Sequence, residues 1–199
     1  MAVALNPHSL SWYMQEISMH GLGADLAYQA LLRTVEDVET RQTGLVWFHL
    51  TSFLHHAAMI SKFIAPASRA GDVAKERGVA LRHALCVPAD SEILPRDARD
   101  NVEHFDERMD RWICDASPVI FEIVLESRED YEYLRVADKR VKRVLVADEF
   151  VFVSERKDST KFELQLRPLQ AEIDRVSRGA GQWLGQSSPY TFVHPRRDR

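Results

Sequence analysis

The chain has 199 residues, 45% of them hydrophobic, with 26 Lys and Arg against 30 Asp and Glu for a formal net charge of −4. This length supplies one domain with its own core and excludes two full-sized units. With only 8 Gly and 8 Pro the chain is neither disordered nor collagen-like, and its mild acidity excludes a global attraction to nucleic acid or an anionic membrane, so any such site must be local.

The two cysteines, Cys86 and Cys114, form no C-x-x-C pair, so neither a disulfide framework nor a four-thiolate zinc site is expected. They read as small buried hydrophobes of a reducing compartment. Met1 to Leu10 has no basic stretch ahead of its short apolar run, unlike a secretory signal. Leu45 to Ile64 is the most apolar segment, but His49, His55, His56 and Lys62 argue against a membrane span. A cytoplasmic protein without a cofactor is the expectation.

In chain order, Ser9 to Met19 is ambiguous between a strand and a first helix. Leu22 to Arg41 places Leu26, Ala30, Val35 and Val38 near helical spacing, with Gly44 as the stop. Leu45 to Ile64 is apolar nearly all round, as a central helix is, and Pro66 ends it. Ala65 to Gly78 reads as a connection or short helix, Val79 to Leu85 as another short helix, and Pro88 to Pro95 as a loop. Ala98, Val102, Phe105, Met109 and Trp112 then repeat at spacings of four and three, predicting one amphipathic helix.

Periodicity leaves Val119 to Leu125 open between helix and strand. Val144 to Val146, Phe150 to Val153 and the alternating Phe162, Leu164 and Leu166 predict strands, with a hairpin turn at Lys157 to Thr160. Pro168 opens a last helix that is expected to stop near Gly179 and Gly181. The expected fold is mainly α, of the α+β kind: a single domain with a helical bundle over about 20–127, a small C-terminal antiparallel β-meander plus closing helix over about 131–185, and a basic tail at 190–199.

Most chemical motifs are absent. His49 and His56 lie seven residues apart, His55 and His56 point to different sides of their helix, and no histidine pair has the spacing of three or four that a helical metal site needs. Gly21-Leu22-Gly23 lacks the third glycine of a dinucleotide loop, and no G-K-[ST] or G-x-S-x-G is present.

What remains is Arg99-Asp100-Asn101-Val102-Glu103-His104-Phe105-Asp106-Glu107-Arg108, where Arg99 and His104 fit an R-x(4–6)-H pattern with a polar residue directly after the arginine. Here the chain resembles the HEPN family, all-α domains that commonly dimerise and often act as metal-independent ribonucleases. The resemblance implies Arg99 on the scissile phosphate, His104 as acid or base, Asp100 in the polar position and a cleft shared by two protomers. Histidine suits proton transfer near neutrality, and a guanidinium suits the charge of a phosphorane.

On an ideal helix Arg99 and His104 stand roughly 140° apart, flanking the apolar seam, while Asn101, His104 and Arg108 make a polar ridge. From Cys86 to Asp110 eight carboxylates face three arginines, a net charge of −5. The ridge alternatively reads as a solvated flank or partner contact.

Phe53 to Lys62 with Pro66 beyond, together with Glu103 to Arg108, also resembles a group of uncharacterised bacterial proteins. That resemblance implies that His55, Ser61, Lys62 and the 99–108 stretch meet in one polar site, with Lys62 and Arg99 offering anion contacts. Arg135, Lys139, Arg140, Lys142 and Arg143 form a basic cluster that reads as a solvated turn or a phosphate contact. Three functions follow as expectations: a dimeric metal-independent endoribonuclease, a non-catalytic helical interaction or dimerisation module, or a small anionic ligand-binding protein. The expected partners are a second copy of the chain, RNA or another protein, and no membrane.

Overall fold

The structure, a computed structural model, describes residues 6–39, 41–114, 120–134 and 141–189. Among these are seven helices and four strands, an α+β fold that is mainly α, with a C-terminal meander and a closing helix. The basic tail at 190–199 and Arg135, Lys139 and Arg140 of the basic cluster lie outside the described residues.

α1 spans Pro7–Glu36, so the ambiguous Ser9–Met19 segment and the following helix are one element. Asn6 caps it, accepting from the Ser9 amide at 3.0 Å, and Pro7 at the first position lacks only an amide that would go unbonded anyway. Met14, Ile17, Gly21, Ala24, Tyr28, Leu31 and Val35 make its buried stripe. It ends at Asp37 rather than at Arg41, and Gly44 is not a stop but lies in the first turn of α2, Thr43–Ile64. α2 is buried along Val46, Leu50, Phe53, Leu54, Ala57, Ile60 and Ile64 and packs against α1.

α3, Asp72–Ala84, replaces the expected connection and short helix with one thirteen-residue element. The predicted seam helix is two: α4, Asp97–Glu103, and α5, Phe105–Cys114, meeting at His104 with φ −115° and ψ 33°. Val119 to Leu125 resolves, from Ile120 onward, as strand β1, Ile120–Leu125, and α6, Arg128–Leu134, follows. β2, Val141–Val146, β3, Val151–Glu155, and β4, Lys161–Gln165, complete a sheet ordered β1-β2-β3-β4. β2, β3 and β4 form the antiparallel meander, while β1 pairs parallel to β2, so the sheet is mixed. The hairpin at Lys157–Thr160 is as read: Arg156 donates its amide to the Thr160 carbonyl at 2.7 Å, and Asp158 accepts from Thr160.

The sheet separates two cores. Leu145, Phe150, Phe152, Phe162 and Leu164 join α1, α2 and α7 in the larger one; Val144, Val146, Val151 and Val153 join Leu125 and Tyr131 in the smaller. Burial on both faces explains why β2 and β3 read as nearly continuous apolar runs.

α7, Leu166–Ser187, packs against α1 and runs through Gly179 and Gly181 instead of stopping there. Ala180 and Leu184 continue its buried stripe past both glycines, and tertiary packing outweighs their poor helix propensity. Gly21 has the same explanation: a Cβ there would stand 2.1 Å from the Ser177 Cβ, so its missing side chain sets the approach of α1 to α7. Cys86 and Cys114 are both exposed, not buried. No helix among the described residues is long and apolar enough to cross a membrane.

Candidate functional site

The break at His104 decides where the motif residues go. Asn101 and Arg108, expected on a solvated ridge, are buried, at 1% and 4% exposure, whereas Met109, expected in the seam, is exposed. The face of α4–α5 turned inward is therefore Asn101, Arg108 and Trp112, and it meets the polar end of β3 instead of an apolar surface. Asn101 Nδ2 donates to Ser154 Oγ at 2.8 Å, Arg108 donates to the Glu155 carbonyl, and Trp112 Nε1 donates to Glu155 Oε2 at 2.9 Å. Glu155 Oε1 also takes Lys142 Nζ at 3.3 Å and Lys161 Nζ at 3.1 Å.

Lys142 and Arg143 of the basic cluster are thus buried in β2, not solvated. Arg143 pairs with Glu122 and lies over the rings of Phe105, at 4.2 Å, and Trp47, at 5.0 Å. Burial pushes its guanidinium down to about 10, which leaves it charged at neutral pH.

Arg99 and His104 come to different places. Arg99 is buried and donates to the Ala65 carbonyl, just past the end of α2, at 2.9 Å; burial lowers its pKa from the ordinary value, with Arg96 adding to the effect. His104 is half exposed, with Nδ1 3.4 Å from Glu107 Oε1. Asp100 sits between Arg96, at 3.4 Å, and Arg99 Nε, at 3.9 Å.

His104, Asp100 and Arg108 line a cleft of about 690 Å³ between α4–α5 and the β3–β4 turn. Arg96, Arg111 and Glu107 line it from the helices, Arg156, Lys157 and Asp158 from the turn, and Arg69 and Asp97 complete it. Six cations face four carboxylates, a local charge of +2 with His104 neutral. Arg156 is tied to both oxygens of Asp97 at 3.0 Å and Arg96 to Asp100, but Arg69 and Lys157 pair with no carboxylate among the described residues. Arg111 donates only to the carbonyls of Glu107 and Lys157. The sequence motif missed Arg69, Arg156 and Lys157 because they arrive from other segments, and Arg111 because it lies one turn past the motif on α5; the hairpin turn was the one visible hint.

The second expected grouping is partly assembled. Ser61 and Arg99 line one cavity of about 140 Å³, whereas Lys62 turns to Glu103 at 2.8 Å and His55 lines an exposed groove beside Trp47, Phe48 and Val102. A histidine pair went unread: His20 Nδ1 and His56 Nδ1 stand 2.9 Å apart across α1 and α2, with a Cβ on Gly23 only 2.5 Å from the His56 ring. Burial lowers the pKa of both, opposed at His20 by Glu16 and reinforced by His55; at His56 the neighbouring His20 and His55 add to it. Among the described residues no group of three His, Cys, Asp or Glu is placed to hold a metal ion. Comparison with protein-family models, curated proteins and solved structures finds no match to this chain.

Proposed function

We propose that the His104 cleft binds the phosphate backbone of RNA and that the reaction it carries is metal-independent endoribonucleolytic cleavage by a homodimer. The observation that carries this reading is the reversal of charge. Of the charged side chains in the acidic 86–110 segment only Arg96, Asp97, Asp100, Glu107 and Arg108 reach the cleft, a charge of −1, and Arg111 from the next turn of α5 with Arg69, Arg156, Lys157 and Asp158 brings the lining to +2. Such a concentration of guanidinium and ammonium groups favours phosphate oxygens and focuses an anionic strand.

His104 supplies the proton chemistry. With Glu107 facing Nδ1, the Nε2 nitrogen is the one left to take the proton of a ribose 2′-hydroxyl. The 2′-oxygen then bonds to the adjacent phosphorus, the bond from phosphorus to the 5′-oxygen breaks, and that oxygen takes a proton from a second acid, His104 of the other copy. The products are a 2′,3′-cyclic phosphate and a 5′-hydroxyl. Arg111, Lys157 and Arg69 face the phosphorane charge in this reading, the role the family resemblance gives to Arg99.

The test is binding and cleavage of a single-stranded RNA in EDTA across a salt series. The expected outcome is salt-dependent binding whose slope falls by about 1.4 in Arg111→Ala/Lys157→Ala, with cleavage at least roughly 100-fold slower in His104→Ala at unchanged binding. No binding by the parent protein at low salt overturns the reading. A second reading, a non-catalytic dimerisation module, is favoured by the exposed Met109 and Ile113 on the outward side of α5. It predicts a dimer in sedimentation that neither binds nor cuts RNA.

A further inference from the structure

Ser61 is buried at 3% exposure in the last turn of α2, and its hydroxyl has no hydrogen-bond partner. An orphan hydroxyl in a protein interior is costly, on the order of 1–3 kcal/mol, and marks a site where something else completes the bond. Ser61 lines the 140 Å³ cavity together with Arg99. That guanidinium is also buried, at 4% exposure. Of its five N–H donors one is committed to the Ala65 carbonyl at 2.9 Å, and its nearest carboxylate, Asp100 at 3.9 Å, is shared with Arg96.

The other carboxylates at this cavity are held by their own arginines. Asp97 is bound on both oxygens by Arg156, and Glu163 is bound by Arg128 at 2.8 and 3.1 Å. Glu92 is exposed at the rim. Apart from the exposed Gln165 the remaining wall is apolar, chiefly Leu54, Ala58, Ile93, Phe162, Leu164 and Leu169. One incompletely satisfied buried cation and one orphan hydroxyl at an apolar chamber match a group with one negative charge, two acceptor oxygens and a short hydrocarbon tail.

We infer that this cavity is a binding site for a small aliphatic monocarboxylate, its carboxylate held by Arg99 and Ser61 and its tail among Leu54, Ile93, Phe162 and Leu169. A cavity of this volume takes about six heavy atoms, the size class of a benzene-binding cavity. A phosphate dianion would leave its second charge uncompensated against the apolar wall.

The test is isothermal titration of the full chain with acetate, butyrate, hexanoate and the neutral butyramide. The expected outcome is saturable binding of butyrate or hexanoate, weaker binding of acetate and none of butyramide. Ser61→Ala weakens butyrate binding about tenfold without lowering the Tm of the unliganded protein, because it removes an orphan hydroxyl and no contact. Ala58→Val, which narrows the chamber and leaves the His104 cleft untouched, weakens binding of hexanoate and provides a second variant independent of Ser61. Absence of saturable binding by the parent, equal binding of butyramide, or unchanged affinity in either variant overturns the site. RNA binding by the same samples reports on the His104 cleft separately.

Discussion

The two sides of the α4–α5 strap use the same kinds of residue for opposite ends. Inward, Asn101, Arg108 and Trp112 are buried against Glu155, and every polar contact is to the protein itself. Outward, His104, Arg111 and their neighbours Arg69 and Lys157 stand at a solvent-facing cleft with donors unused by any carboxylate except Glu107. An arginine on this strap therefore takes its role from the helix face it occupies, not from its place in a motif. Arg108 is anchored inward on the Glu155 carbonyl while it backs the cleft, Arg111 stands in the cleft, and Arg99 turns to the separate chamber beside Ser61.

Three measurements bear on this contrast. The largest effect is expected at Glu155→Gln, which leaves Lys142 and Lys161 facing a neutral amide where they now face a carboxylate. Because Lys142 and Glu155 are both buried, urea denaturation should show a loss of roughly 3 to 5 kcal/mol. A loss under about 1 kcal/mol would place this knot with ordinary surface pairs and remove the contrast.

A smaller loss is expected on acidification, from the His20–His56 pair between α1 and α2. Both pKa values are lowered in the fold from an ordinary value of 6.5, so protonation favours the unfolded chain. The stability they contribute is full above about pH 6.5 and is lost as pH falls below it, and a stability–pH profile should flatten over that window in His20→Gln. An identical slope in parent and variant would count against the pair as its source. The smallest effect is expected at the cleft: Arg111→Ala/Lys157→Ala should stay within about 0.5 kcal/mol of the parent, because these side chains anchor no buried group. A cost of several kcal/mol would move them to the interior side of the comparison.

Much of the architecture was legible from apolar spacing. The central helix, the three strands of the meander, the hairpin turn and the closing helix all follow from periodicity and turn chemistry, because their burial is apolar and local in register. Where the reading failed, the burying surface lay elsewhere in the chain. Gly44, Gly179 and Gly181 look like punctuation, yet all three lie within helices, Gly44 exposed in the first turn of α2 and the other two in α7 where packing against α1 carries the helix on. The inward face of α4–α5 is polar because the end of β3 is polar, which no hydrophobic template detects. Proximity of Ser61 to Arg99 was implied only by resemblance, and the cationic cleft was hidden because its charges come from four segments.

The seating of α7 on α1 has a consequence for how the molecule forms. Residues such as Gly21 and Ser177, which touch in the fold, lie far apart along the chain, so the larger core cannot close until nearly all described segments are available. Contacts of such separation slow folding, because the entropy of closing the intervening chain is lost before packing compensates for it. On the ribosome α1 and α2 emerge as a hairpin whose α7-facing stripe stays uncovered until the last helix is released. The interval before α7 docks is the one in which this protein is most exposed to aggregation and to chaperones.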